Sequence, residues 1–240
     1  MYVPPQAGPE RQNNKSVAVK LLSREKLIAN AIMVSSKEGT ATRRAGKETA
    51  AKILQAAHDL LATEALVYFT MRNIATKAGV SLANLQYYYP RRDALIDAVL
   101  LDINRRYRLA CQNAISAKSA SAPEEQIKAV LSFQLEDGTQ TQTRQFFIQL
   151  WALLGSMDDF SGRYLEQLYA YDLEILSEPI AALHTNLDKV EVRERALVIA
   201  SLVEGLMVVV GDTSKKRATT KRTVDLIFQA ALKIALEPKL

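Results

Sequence analysis

The sequence predicts an all-α protein, and three observations carry that prediction. From Lys47 to Leu240 apolar residues recur at spacings of three and four. Nowhere does strict alternation of polar and apolar residues run long enough to make a half-buried strand. Only 9 Gly and 7 Pro punctuate the 240 residues, and 48% of the side chains are apolar against 24% charged, the balance of a globular chain with a packed interior. A collagenous repeat, a disulfide scaffold and disorder throughout are thereby excluded.

The first 15 residues, rich in Pro, Gln and Asn, read as disordered. Residues 16 to 34 form a candidate amphipathic helix through Leu21, Ile28 and Ile32, and SSKEGTAT reads as a linker. Ile53, Leu54, Ala57, Leu60 and Leu61 then make one face of a helix over about 47 to 64. Thr70 is the cap of a second helix ending at Ala78. Gly79 supplies the left-handed stop, and Ser81 caps a third helix that Pro90 keeps short. A long fourth helix follows from about 92 to 117, with Leu95, Val99 and Ile103 on one stripe. Five more helices are expected near 123–137, 141–156, 160–186, 190–211 and 221–236, about nine in all. The longest apolar run, Ala196 to Gly211, is broken by Glu204 and falls short of the roughly 20 residues that span a bilayer. It reads as a buried helix.

Charge divides the chain. Residues 1 to 46 hold eight Lys/Arg against three Asp/Glu, residues 47 to 118 ten against six, and residues 119 to 240 thirteen against seventeen. A basic first half suits a polyanion, nucleic acid before an anionic membrane surface. The single Cys111 cannot make an internal disulfide, and no charged, apolar and small signal pattern opens the chain, so the cytoplasm is the expected compartment.

The stretch MRNIATKAGVSLANLQYY has the spacing of a helix-turn-helix: Ala75 is small where the second helix crosses, Gly79 turns the chain, and Ile74, Val80 and Leu85 are apolar at the contact. Its surroundings, from TRRAGKETAAKIL through TMRNIATKAGVS, Tyr87-Tyr88-Tyr89 and Arg92-Asp93-Ala94-Leu95, resemble the TetR family of bacterial transcriptional regulators over about residues 42 to 101. Ala65, Leu82, Ala83 and Gln86, together with Pro90 and Arg91, depart from the usual family pattern. Because three of these lie in the third helix, the family's operator sequences do not carry over.

The resemblance implies three parts: a basic extension over 1–45, a DNA-binding domain over 46–106 with its helix-turn-helix at 70–89, and an effector-binding and dimerisation domain over 107–240. Helix three would lie in the major groove with Ser81, Leu82, Ala83, Asn84, Gln86 and Tyr87 nearest the bases. Asn84 and Gln86 have the amide that reads adenine, and Leu82 or Ala83 suits a thymine methyl. Tyr87, Tyr88, Thr70 and Arg92 would meet phosphate, and Arg43 and Arg44 resemble a minor-groove arm. Tyr89 takes a core position. The implied partners are a double-stranded DNA operator, a second copy of the chain and an unidentified small-molecule effector. The resemblance implies repression relieved when the effector shifts helix four.

The second half would supply a ligand pocket, with Phe146, Phe147, Gln149, Trp151, Met157, Tyr164, Tyr171 and His184 able to line one. Aromatic walls with few charges favour an apolar or aromatic ligand. Ile199, Leu202, Val203, Leu206 and Val210 on one helix, with Val224, Ile227, Ala231 and Ile234 on the next, are the expected four-helix dimer interface. No Gly-rich phosphate loop, metal-ligand spacing or nucleophile elbow is present, so neither an enzyme nor a bound cofactor or metal is expected. The rival is a helical interaction protein that uses residues 16 to 34 to anchor on a membrane or an acidic partner. A membrane partner is not expected on the leading interpretation.

Overall fold

A computed structural model of the chain describes residues 40–157, 163–210 and 217–238. Nine α-helices occur among them: α1 (Thr40–Thr63), α2 (Met71–Ala78), α3 (Leu82–Tyr88), α4 (Arg92–Ala117), α5 (Pro123–Gly138), α6 (Thr141–Gly155), α7 (Leu165–Leu183), α8 (Lys189–Val209) and α9 (Arg217–Leu236). The described residues contain no strand. The expectations for residues 1–39 lie outside the described residues.

Local chemistry sets most helix ends. The Thr70 hydroxyl accepts from the Asn73 amide at 3.2 Å and the Ser81 hydroxyl from the Asn84 amide at 3.1 Å, each satisfying a donor that the first turn leaves open. Gly79 ends α2 at φ 70°, where a Cβ would be strained, and its amide returns to the carbonyls of Ala75 and Thr76. Asp188 caps α8 by accepting from the amides of Val190 and Glu191 at 2.8 Å each. Pro123 sits in the first turn of α5 beside Glu124 and Glu125, where a missing N–H costs nothing and negative charge meets the helix dipole.

Several boundaries differ from expectation; α7, expected near 160–186, spans Leu165–Leu183. Helix α1 starts at Thr40 instead of near Lys47, so it absorbs the end of the linker and places Arg43 and Arg44 in its opening turns. Helix α9 starts at Arg217, four residues before the expected 221. Pro179 lies buried within α7 without ending it.

Two apolar cores organise the packing. The first joins Ile53, Ala57 and Leu61 of α1, Ile74 and Ala75 of α2, Leu85 of α3 and the first half of α4 to Phe146, Phe147, Leu150, Leu153 and Leu154 of α6. The second gathers Cys111, α5, α7, α8 and α9. Helix α6 therefore belongs as much to the helix-turn-helix as to the C-terminal half, and α4 runs through the expected boundary at 106/107 into both cores. The last carbonyls of α9 are held from inside. The buried Arg195 guanidinium donates to the carbonyls of Ile234, at 3.1 Å, and Glu237, and His184 Nε2 lies 2.9 Å from the Ala235 carbonyl.

Within one subunit, burial divides the expected dimer stripe. Ile199, Val203, Leu206 and Ala231 are buried within the subunit, and Leu202, Val210, Val224, Ile227 and Ile234 are half-buried against the same second core. The opposite face of α8 carries the exposed apolar residues: Leu197, Val198, Val208 and Val209, with Leu226 exposed on α9. An apolar helix surrounded on most sides offers two candidate stripes, and the stripe richer in large residues went to the core.

Candidate nucleic-acid interface and ligand cavity

Helix α3 is seven residues long and is held by one buried side chain, Leu85, against α1 and α2. Everything else on it faces outward or sits at the rim. Ser81, Ala83, Asn84, Gln86 and Tyr87 are exposed, and Leu82 and Tyr88 are half-buried. The Tyr87 and Tyr88 rings meet edge to face at 5.2 Å, and the Tyr88 hydroxyl lies over Gly46 of α1. Thr70 and Arg92 are exposed at the starts of α2 and α4, on either side of α3 in sequence. Arg44 is exposed and pairs with Glu48 one turn along α1, at 3.0 Å. Tyr89 is buried, as its place in the core required.

Ala65 replaces a glycine of the family pattern without strain. It sits at φ −70° and ψ 147°, extended backbone open to any residue, ahead of a short 3-10 turn at Leu66–Tyr68.

The second site is a cavity lined from α4 by Ile103, Asn104 and Tyr107, from α5 by Gln134 and from α6 by Phe147. Leu168, Tyr169 and Asp172 of α7 and Ala200, Val203, Glu204 and Met207 of α8 complete it. The enclosed space is small, about 20 Å³, and opens to solvent at its mouth. Of the eight expected lining residues, Phe147 alone is on this wall. Trp151 stands one hydrogen bond behind it, its Nε1 donating to the Tyr169 hydroxyl at 2.9 Å.

The others are placed elsewhere. Phe146 is buried against His58, Tyr164 belongs to the first core, and Met157 is half-buried against that core. Gln149 is half-buried on α6 and is absent from the cavity lining. Tyr171 lies in the second core under the Arg108 guanidinium, and His184 holds the end of α9. Of the aromatic residues on α6 and α7 expected to line a pocket, Phe147 is the one that lines this cavity.

The cavity is also more polar than expected. Gln134 Nε2 donates to Asp172 Oδ1 at 3.2 Å, while Gln134 Oε1 and Glu204 Oε2 are buried without a hydrogen-bond partner. Burial pushes the Asp172 carboxyl up to about 7 against the pull of the Gln134 bond, and burial followed by the neighbouring Asp172 charge pushes Glu204 up to about 8. Both carboxylates are visible in the sequence as acids within apolar helical runs, Asp172 (with Glu174) in LYAYDLEIL and Glu204 in LVEGLMVV. That was the missed signal.

A packed chain of rings connects the two sites. Phe147 on the cavity wall meets Phe146 edge to face at 5.4 Å, and Phe146 stacks on His58 of α1 at 5.1 Å. His58 Nε2 is 3.2 Å from Asp102 Oδ2 on α4, where Arg105 and Arg106 also donate at 2.7 Å each.

The family described as "Bacterial regulatory proteins, tetR family" matches residues 53–99, from mid-α1 into α4. An HTH-type transcriptional regulator from the dhlA 5′ region of Xanthobacter autotrophicus is 28% identical over 191 residues, 78% of this chain and 88% of that protein. The HTH-type transcriptional regulator BetI of Escherichia coli (strain SMS-3-5 / SECEC) is 22% identical over 137 residues, 57% of this chain and 69% of its own length. A TetR-family transcriptional regulator from Streptomyces coelicolor shares the fold at a TM-score of 0.61 and 19% identity, covering 80% of this chain and 97% of that structure. Among the described residues no helix is long and apolar enough to cross a membrane. With a capped, solvent-facing α3 beneath that match over residues 53–99, the chain is similar to the TetR-family regulators in its DNA-binding segment and is a DNA-binding transcriptional regulator.

Proposed function

We propose that two copies of the chain bind a palindromic operator as a repressor, and that a small molecule entering the cavity beside α4 releases them. The observation that carries the DNA contact is the division of α3: Leu85 anchors it, while Ala83, Asn84, Gln86 and Tyr87 remain free for a groove. Asn84 and Gln86 are the base readers, each worth about 1–3 kcal/mol of discrimination at an adenine. Thr70, Ser81, Tyr87, Tyr88 and Arg92 serve the backbone, with Arg44 and Arg43 approaching from the start of α1. Leu82 and Ala83 offer methyl contacts.

The dimer face is the exposed side of α8, Leu197, Val198, Ser201, Gly205, Val208 and Val209, with Leu226 of α9. These α8 positions fall within about one third of a turn of each other on the helix wheel. A Cβ built on Gly205 meets nothing within 4 Å, so the glycine leaves room for a second backbone to approach. Gly205→Arg is expected to give monomers by light scattering and to weaken operator binding, with the helical circular dichroism of the parent. A parent chain that is itself monomeric defeats the proposal.

Fluorescence polarisation on DNA from upstream of the chain's own gene tests the operator contact. Asn84→Ala, Tyr87→Ala and Arg92→Ala together should abolish specific binding, and the affinity of the parent should fall steeply with salt as phosphate contacts release counterions. Binding unchanged in the triple variant would refute the role given to α3.

A further inference from the structure

The cavity between α4, α5, α7 and α8 holds polar groups that the fold leaves unmatched. Gln134 is 6% exposed, and with its Nε2 donating to Asp172 Oδ1 its Oε1 is a buried acceptor without a partner. Glu204 Oε2 is a second buried acceptor without a partner. The Tyr169 hydroxyl, already accepting from Trp151, is the neutral donor set against the Glu204 carboxylate. No Lys, Arg or His lies among the described residues that line the space, although two carboxylates do. The remaining wall is apolar and aromatic, with Tyr107, Phe147, Leu168 and Val203.

We propose that this cavity binds a small organic cation bearing N–H donors on an apolar or aromatic body, its ammonium or amidinium group set between Asp172, Glu204 and Gln134. The proposal rests on the effector role given to the cavity above and deepens it. Buried unmatched acceptors are costly, each about 1–3 kcal/mol, and a protonated amine satisfies several of them together with the charge. A quaternary ammonium neutralises charge but donates nothing to Gln134 Oε1 or Glu204 Oε2. No group of three or more His, Cys, Asp or Glu that could hold a metal ion occurs among the described residues, so two carboxylates and one amide on an apolar wall suit an organic cation. Aromatic faces next to the charge add cation–π attraction. Burial holds both carboxyls near neutrality in their titration, so an entering cation takes the place of a proton instead of competing with a fixed salt bridge.

Trp151, the chain's single Trp, reports on the wall through Tyr169 and makes occupancy readable by fluorescence. The probes are phenethylammonium, cyclohexylammonium and benzamidinium, each beside its neutral analogue (2-phenylethanol, cyclohexanol, benzamide), with trimethyl(2-phenylethyl)ammonium as the donor-free cation. At least one N–H cation should give a saturable change at a concentration at least about tenfold below its neutral analogue, and phenethylammonium should bind more tightly than its trimethyl form. Asp172→Asn and Glu204→Gln should each weaken that binding about tenfold or more while leaving operator affinity intact. The same cation should release operator DNA.

Neutral analogues that bind and release DNA as well as the cations, unaffected by D172N or E204Q, would overturn the cation proposal and leave the effector role standing. Failure of every probe to saturate overturns it as well. A ligand-free measurement stands beside these: the D172N/E204Q double variant should melt at or above the parent's temperature at pH 8.5. A lower melting temperature would show that the carboxylates serve the fold and would sink the proposal.

Discussion

Two buried acidic clusters sit on either side of α4, and they have been resolved in opposite ways. Asp102, at the junction of α4 and α1, is only 7% exposed, yet it receives His58, Arg105 and Arg106. Burial alone would raise its carboxyl, but the hydrogen bonds from His58, Arg105 and Arg106 outweigh it and hold the group well below the usual carboxylate range. Asp172 and Glu204 have only Gln134 and Tyr169 and are driven the other way. The same chemical group thus locks the DNA-binding half onto the lever helix in one place and waits for a counter-charge in the other. A buried carboxylate with its cations in place is a structural joint, whereas one without them is a demand for a ligand or a proton.

The contrast is broken or sharpened most strongly by pH. Because the folded pKa values of Asp172 and Glu204 lie above those of the unfolded chain, the native state holds more protons between about pH 4 and 8, and stability falls as pH rises through that window. Summed over the pair, the loss should amount to several kcal/mol, since each tenfold difference in proton affinity between the folded and unfolded chain is worth about 1.4 kcal/mol. Urea melts from pH 5 to 8.5 measure it, and D172N/E204Q should flatten the slope. Asp102 has the reverse sign: its contribution is complete above about pH 4 and is lost as the pH falls into the acid range.

Asp102→Asn comes next. Loss of the charge that gathers His58, Arg105 and Arg106 should cost about 2–3 kcal/mol, toward the low end for a broken buried pair because both arginines are substantially solvated. Urea unfolding at pH 7 reads it directly, and a change below about 0.5 kcal/mol would mean that the joint carries no stability. The smallest effect belongs to Glu48→Ala. Its pair with Arg44 is solvent-exposed, and removal should change stability by less than about 0.5 kcal/mol.

The helices were legible in the sequence because capping and periodicity are local. Thr70, Gly79 and Ser81 announce the helix-turn-helix by residue type, and the structure shows each in the role its chemistry allows. Which face of a mostly apolar helix turns inward is a tertiary matter. On α8, Ile199 and Leu206 went to the core while Val208 and Val209 stayed outside, and periodicity alone does not say which of the two stripes packs inward. The cavity wall was illegible for a related reason. Large ring-bearing side chains such as Tyr171 and His184 look like ligand walls, but they fill space or satisfy helix ends. Acids within apolar runs carried more information, since burial of a charge needs a reason that burial of a ring does not.

Helix α4 spans 26 residues without interruption, from Arg92 beside the recognition helix to Tyr107 on the cavity wall and beyond. Arg92 and Tyr107 are separated by about 22 Å along the axis at 1.5 Å per residue. A tilt of about 8° at the cavity end would carry the other end about 3 Å, and opposed tilts in two copies about 6 Å. Set against the roughly 34 Å between successive major grooves, that displacement spoils the fit of both recognition helices at once. On the function proposed above, a bound ligand therefore need not reshape the protein; it has only to change the angle of one rod.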